Sequence, residues 1–540
     1  MLGRQLIFAA ALLAASSLGA QAQTATLLTN GTPYDGIVYG FQLTDGSLFY
    51  QGGLLNDWYL FRPDKTGSYL NGTFYPAAGL PPNYIPYATS GGVLPDGRVL
   101  LIGGEYLLLS EIDLAFELTN EMAIYDPVKD TWTMVKPPKG WDFIGDSPWT
   151  ILADGRLLLG QKLTTNAAIF DAKTLTWTAV STAGKNDFDA EEGWTLLPDG
   201  SVLTVDVKDH PKAERFLPNA NLSLTKWVSA GSTPANLQAS DTNSAKKIVF
   251  DNGKMVYYPP GEVGPAILRP DGSVFATGAV CGVPGTGPND CQVVTKVGHT
   301  ATFKAGAWTA GPDFPNGEGA GDSYASLLPN GNVLVETNPA GTVSDPRSRY
   351  KAIATHAIHP TFGAARAATP TWHFYEYDGV KLTHEAVADF TGGAASTLLL
   401  PTGEVMLNGQ AIYASTGTYL PAWAPTITKA PTDVSAGGTY SISGTQFNGL
   451  SQANAFGDEL QVATNYPLVR ITNGKTGDVT YARAHDVTSM GVATGATIVS
   501  TSFDVPKTIE LGASTLEVVA NGIPSKPVPI TVSAASTSGD

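Results

Sequence analysis

GGVLPDGRVLLIGG, residues 91–104, reads as two short apolar strands joined by a tight Asp-Gly turn. Asp96-Gly97 supplies the turn, because glycine adopts the left-handed backbone that such a turn demands. The same design recurs as FQLTDGSLFYQGG (41–53), WTILADGRLLLG (149–160), WTLLPDGSVLTV (194–205) and AILRPDGSVFATG (266–278). Two copies have drifted: SLLPNGNVLVE (326–336), with Asn330, and TLLLPTGEVMLNG (397–409), with Thr402. One Asp-Gly means a turn. Five of them and the two drifted copies, each between apolar β-rich runs and 45–72 residues apart, mean seven hairpins of one design.

A tryptophan follows most hairpins: Trp58, Trp132, Trp177, Trp227, Trp308 and Trp372. One aromatic at a similar stage of each repeat suits a buried wedge between neighbouring units. Seven four-stranded units closed into a ring account for this pattern, which predicts an all-β, seven-bladed β-propeller. Too little chain remains after Thr402 to complete the last blade, so the strand-like segment near Ala25–Thr29 is predicted to close it. No long amphipathic helix interrupts the copies. Short loop helices are expected in LLLSEIDLAFEL (107–118) and KAERFLPNA (212–220).

The repeat stops near Trp423. The chain beyond Trp423 is rich in Pro, Gly and Thr, then in short strands such as YPLVRIT, ATIVSTSFDV and STLEVVA. This predicts an immunoglobulin-like β-sandwich over 423–540 with a short disordered tail, behind a propeller over 23–422. Residues 1–22 read as a secretory signal: Arg4, an apolar run and an Ala20-Gln21-Ala22 cleavage site. Secretion to the periplasm or beyond is expected, with no transmembrane segment in the mature chain. Cys281 and Cys291 flank a loop of turn formers, and in an exported protein such a pair predicts a disulfide.

Composition narrows the function classes. The 540 residues carry 32 Lys+Arg against 48 Asp+Glu, a net charge of −16, and only 15% are charged. With 59 Gly and 37 Pro, the chain is neither a coiled coil nor a disordered polyanion. A nucleic-acid partner is excluded, since phosphate binding needs clustered Lys and Arg.

The Gly-Gly hairpin endings (Gly52-Gly53, Gly103-Gly104) and the later tryptophans resemble kelch repeats. With the C-terminal Ig-like (E-set) region, the chain is similar to the galactose-oxidase/glyoxal-oxidase superfamily, and especially to its secreted bacterial members. The resemblance implies copper and a Tyr–Cys radical cofactor for the oxidases of that group. Their Tyr-His pair falls on Gly393 and Ala394 here, and the early blades contain no cysteine. Tyr87 is one residue out of register with the crosslinked Tyr, and His485 is the one candidate for the remaining ligand. A copper-radical oxidase is therefore disfavoured.

Two further motifs are weak. His356 and His359 stand three residues apart without a third ligand. Gly321-Asp322-Ser323-Tyr324-Ala325 has the spacing of a nucleophile elbow, but a strand follows it and not a helix. The register of the repeat is more telling. Residues about eight before each turn fall at one mouth of a propeller, and there the chain carries Asp146, Glu191, Glu192, Glu262 and Asp322, with Tyr87 and Asp389 nearby. These are the candidate ligand-binding residues. No cofactor is predicted, and calcium is the cation such carboxylates would suit. The expectation is a monomeric binding module for glycans or cell-surface polymers. The alternatives are a carbohydrate-active enzyme working at the mouth and a structural envelope protein.

Overall fold

The computed structural model describes residues 23–33, 35–110, 113–207, 209–240, 246–249, 255–258, 261–280, 297–338, 371–391, 396–457 and 461–535. Residues 1–22, Cys281, Cys291, His356, His359, Gly393 and Ala394 lie outside them. Among the described residues the chain is all-β, with three single-turn 3-10 helices at Leu222–Leu224, Pro315–Gly317 and Pro421–Trp423. No helix among them is long and apolar enough to cross a membrane.

Seven antiparallel sheets share one plan. The first runs Ile37–Gln42, Leu48–Gly52, Trp58–Arg62 and Thr73–Ala77; the second Ser90–Val93, Val99–Ile102, Met122–Asp126 and Thr131–Met134. The third holds Trp149–Ile151, Leu157–Gly160, Ala167–Asp171 and Thr176–Ala179; the fourth Thr195–Leu196, Val202–Val205, Lys212–Leu217 and Lys226–Ser232. The fifth is Ala266–Leu268, Val274–Thr277, Thr300–Lys304 and Ala307–Ala310; the sixth Tyr324–Leu327, Val333–Thr337, Thr371–Tyr377 and Leu382–His384. In the seventh, Thr397–Leu399, Val405–Leu407 and Ala411–Ala414 take their outer strand from Thr24–Leu27, with Ala25 opposite Tyr413.

The turn chemistry explains the first two strands of each sheet. Gly97, Gly155 and Gly200 have φ of +83°, +85° and +81°. The preceding aspartate accepts the backbone N–H two residues on, at 3.1 Å for Asp96 and 3.0 Å for Asp154 and Asp199. Asn330 does the same for Asn332 at 2.9 Å. Thr402 makes no such bond; its hydroxyl donates to Glu404 instead.

Burial falls from the inner strands outward. Val99–Ile102 and Leu157–Gly160 are buried throughout, whereas the fourth strands TWTM and TWTA are half-buried to exposed. Each Leu or Val so enclosed contributes about 1.5–3 kcal/mol. Trp132, Trp177 and Trp308 bridge neighbouring sheets: their indole N–H groups donate to Ala78 O, Lys136 O and Ala230 O at 2.8, 3.1 and 3.0 Å. Trp58 and Trp372 sit instead on third strands, buried. First strands of successive sheets lie side by side, and that of the seventh lies beside that of the first.

The last part of the chain forms a nine-stranded sheet system from Thr426–Lys429 to Val528–Ser533, in which Asp433–Ser435 pairs in parallel with the final strand. It packs on the Asp-Gly turns: Ala484 N donates to Thr44 O, Met490 N to Ala153 O and Arg483 Nη1 to Asp96 O. One segment reaches further. Gln452 joins Leu196 N and Thr150 Oγ1, Asn454 joins Ser326 and Leu399 N, and Asn454–Phe456 adds a strand to Tyr324–Leu327.

Both loop helices expected from sequence are strands. Tyr106–Ser110 and Asp113–Phe116 form a hairpin that pairs with Pro86–Tyr87. Lys212–Leu217 is the third strand of the fourth sheet. Pairing on one side or both satisfies backbone groups that a short isolated helix would leave to water, so tertiary context overrides local propensity.

Candidate functional site

The Asp-Gly turns mark one end of the first strands, and the carboxylates mark the other. Asp146 precedes Trp149–Ile151, Glu191 precedes Thr195–Leu196, Glu262 precedes Ala266–Leu268 and Asp322 precedes Tyr324–Leu327. Lys162, just past the second strand of the third sheet, draws two of them together. Its buried ammonium contacts Asp146 directly and lies 3.0 Å from Glu191 Oε1. Glu105, delivered by the Gly103-Gly104 bend, offers an oxygen within 4.8 Å of Asp146 and Glu191. Glu191 and Glu262 are joined backbone to backbone, with Val263 N donating to Glu191 O at 3.1 Å. Gly321 packs close to the Glu262 carboxylate, which a Cβ there would displace. Asp322 comes next, with φ of +48°, and opens to solvent.

Asp146, Glu191 and Asp322, three of the sequence candidates, thus act on one another. Burial, then the Asp146 charge, pushes the Glu105 carboxyl well above its usual range. Asp146 rises to about 6 through burial, against the pull of Lys162. Asp322 is raised as well, by the protein crowded around it and then by the Glu191 and Asp146 charges, while its side chain still reaches solvent. Asp146 Oδ1 is buried and has no hydrogen-bond partner, so one acceptor at the mouth stands unmet. Tyr106 flanks the carboxylates; burial and then their charges raise its phenol. Its ring lies 6.0 Å from that of Tyr87 and 5.5 Å from that of Phe116. Tyr87 therefore stands on an aromatic rim beside the acids.

Glu192 does not join them. It is fully buried on the other side of the segment leading into Thr195–Leu196, 3.5 Å from Lys185 Nζ, and accepts from Trp194 Nε1 at 3.1 Å. Lys185 also meets Asp187, Asp189 and Glu214 at 3.2–3.5 Å and lies over the Trp227 ring. The Trp227 N–H has no partner, unlike those of Trp132, Trp177 and Trp308 but like those of Trp58 and Trp372. Asp389 pairs with His384, away from the mouth carboxylates. His485 sits at the turn end, between Asp486 and Asp504 and near Asp96 and Arg98, so it is at the opposite end of the sheets from the acids. Ser323 is buried and donates to Gly321 O, and a strand follows it.

Sequence reasoning missed Glu105, Lys162 and Tyr106. None occupies a repeated register. The one signal available was the lone lysine after LLLGQ in a chain poor in charge.

The copper-radical cofactor implied by the resemblance does not fit the residues present. The described partners of the mouth carboxylates are other carboxylates, Lys162 and Tyr106, with no histidine or cysteine among them. Carboxylates and an ammonium favour hard cations and hydroxyl groups over copper.

No family model matches the chain, and no curated protein matches it. Several solved structures are distantly similar. A fungal alcohol oxidase of the AA5 family, in complex with copper, is 14% identical over 93% of this chain and 98% of its own, with a TM-score of 0.42. Virginiamycin B lyase from Staphylococcus aureus is 9% identical over 74% of this chain and 100% of its own, at 0.37. An auxiliary nutrient binding protein from Bacteroides thetaiotaomicron is 10% identical over 73% of this chain and 76% of its own, at 0.33. Likenesses this distant carry no chemistry over to this chain.

Proposed function

We propose that the chain is an exported binding protein whose acidic mouth takes a hydroxyl-rich ligand, a glycan or a cell-surface polymer. In this reading, residues 23–422 form a seven-bladed kelch-type propeller. Residues 423–540 form an Ig-like domain covering the end opposite the mouth. Seven sheets of one plan and the closure of the seventh by Thr24–Leu27 support the first part. The antiparallel strand system after Thr426 supports the second.

The observation that carries the ligand class is the juxtaposition of Asp146, Glu191 and Glu105 with the Tyr87–Tyr106 pair. Carboxylates accept hydrogen bonds from sugar hydroxyls, and an aromatic face takes the apolar face of a sugar ring. Asp146 Oδ1, buried and unpartnered, is the acceptor a ligand hydroxyl would satisfy. Titration calorimetry of the mature chain against a panel of soluble glycan fragments tests this. Binding should weaken at least tenfold in Tyr87→Ala and in Asp146→Asn. A panel in which no glycan binds, or binds both variants as well as the wild type, overturns the reading.

A second reading has its own observation. Oxygens of Glu105, Asp146 and Glu191 lie within 4.8 Å of one another, the span of ligands around one calcium ion with bonds of about 2.3–2.6 Å. Calcium at the mouth would then orient the ligand. Calcium titration of the wild type and of Asp146→Asn separates the two: a shared glycan loss without calcium uptake leaves the direct-binding version. Turnover of a glycan during the same titrations would move the assignment to the carbohydrate-active alternative, with the raised carboxyls of Asp146 and Asp322 as its acid and base candidates.

A further inference from the structure

A second cluster stands apart from the mouth carboxylates, on the outer strands of the sixth sheet. His373 lies on Thr371–Tyr377, His384 ends the neighbouring strand Leu382–His384, and Asp389 follows the turn that brings Phe390–Thr391 back to Thr371–Trp372. Each offers one ligand atom, and the three atoms lie within 4.8 Å of one another. The imidazole rings are 5.1 Å apart, centre to centre, and steeply inclined. His384 Nε2 lies 3.0 and 3.1 Å from the two Asp389 oxygens.

The surroundings are those of ligands held in place. Glu318, only 3% exposed, accepts from His373 Nδ1 at 2.8 Å. Its other oxygen accepts from Thr337 Oγ1 at 2.8 Å, which locks the carboxylate. A carboxylate on one imidazole nitrogen fixes the ring and its tautomer and leaves Nε2 with a free lone pair. Asp389 is steadied by Phe374 N, which donates to Oδ1 at 3.3 Å. His373 is about a quarter exposed and His384 about two-fifths, so the cluster opens to solvent on one side.

We propose that His373, His384 and Asp389 bind a first-row transition metal ion, zinc above all, with Glu318 as the residue that orients His373. Two imidazoles and a carboxylate are a donor set for zinc, whose bonds of about 2.0–2.2 Å place neighbouring ligand atoms about 3–3.5 Å apart. The His384–Asp389 separation is then that of two ligands sharing an ion. The open side leaves a fourth position for water, as in zinc sites with three protein ligands.

Equilibrium dialysis of the full mature chain against zinc alone, after chelation, tests this. The wild type should bind one equivalent that His384→Gln and Asp389→Asn lose, while their melting in chelator stays that of the wild type. Both changes lie at solvent-facing or half-buried positions, so folding survives them. Glu318→Gln should keep the ion but weaken it about 10–100-fold. Asp146→Asn should keep it unchanged, which separates this cluster from the mouth. No zinc equivalent in the wild type, an equivalent retained by both His384→Gln and Asp389→Asn, or one lost in Asp146→Asn overturns the proposal.

Discussion

Glu191 and Glu192 are adjacent in the segment leading into Thr195–Leu196 and turn to opposite sides of it: Glu191 meets Lys162 at 3.0 Å, and Glu192 meets Lys185 at 3.5 Å in the interior. Lys162 gathers Asp146 and Glu191; Lys185 gathers four buried acids of its own. The two lysines therefore answer to different experiments.

Lys185 contacts Asp187, Asp189, Glu192 and Glu214, and all five side chains are buried. Lys185→Met leaves buried carboxylates without this counter-charge, which costs about 3–5 kcal/mol. Urea unfolding at pH 8 should show this loss. At pH 5 the loss should shrink, because protonation relieves the unpaired charge. An equal loss at both pH values would show that the lysine's charge is not what matters.

Raised carboxyls make stability depend on pH. Asp146 at about 6, and Asp189 and Asp206 at about 7, all lie above the usual value near 4. The folded state then holds protons that the unfolded chain has released, so this contribution is full below pH 4 and fades as pH rises to 7. Melting temperatures in chelator should fall between pH 5 and 7.5 and then level off. Asp206→Asn should flatten part of the slope. A melting temperature that rises across this window contradicts the assignment.

Gln452 and Asn454 tie the C-terminal region to the first strands. Asn454 Oδ1 accepts from Ser326 Oγ at 2.7 Å and Leu399 N at 2.9 Å, all buried. Asn454→Ala strands Leu399 N, at about 1–3 kcal/mol, while Ser326 Oγ keeps Thr397 Oγ1 at 2.8 Å. Differential scanning calorimetry should show a lower melting temperature and still a single transition. A wild-type melting temperature would show that water replaces the amide at no cost.

Removing residues 23–30 deletes the outer strand of the seventh sheet and bares the edge at Ala411–Ala414. The truncated chain should melt lower and aggregate on concentration, as light scattering would report. Scattering and melting equal to the full mature chain would mean that the strand adds nothing to closure.

Much of the sheet architecture was legible because each hairpin repeats a local rule: a turn aspartate, a left-handed glycine, two apolar strands. The same register announced Asp146, Glu191 and Asp322, since residues at a fixed distance before a turn share one end of a strand. Parity was not legible: whether Glu191 or Glu192 faces the mouth depends on where the strand pleat begins. Glu105 and Lys162 follow second strands and come from loops outside the repeat, so no periodicity marks them. Lys212–Leu217 has the composition of a helix, yet two neighbouring strands claim its backbone. His373, His384 and Asp389 meet because two turns fold three strands together, a convergence that needs the pairing register to be known.

The segment Gln452–Phe456 touches first strands of the third, fourth, sixth and seventh sheets, while Tyr466 donates to Gln42 O in the first. The C-terminal region is thus keyed into the ring like an axle into a wheel. A load on the C-terminal strands would be carried through these hydrogen bonds to the first strands of five sheets.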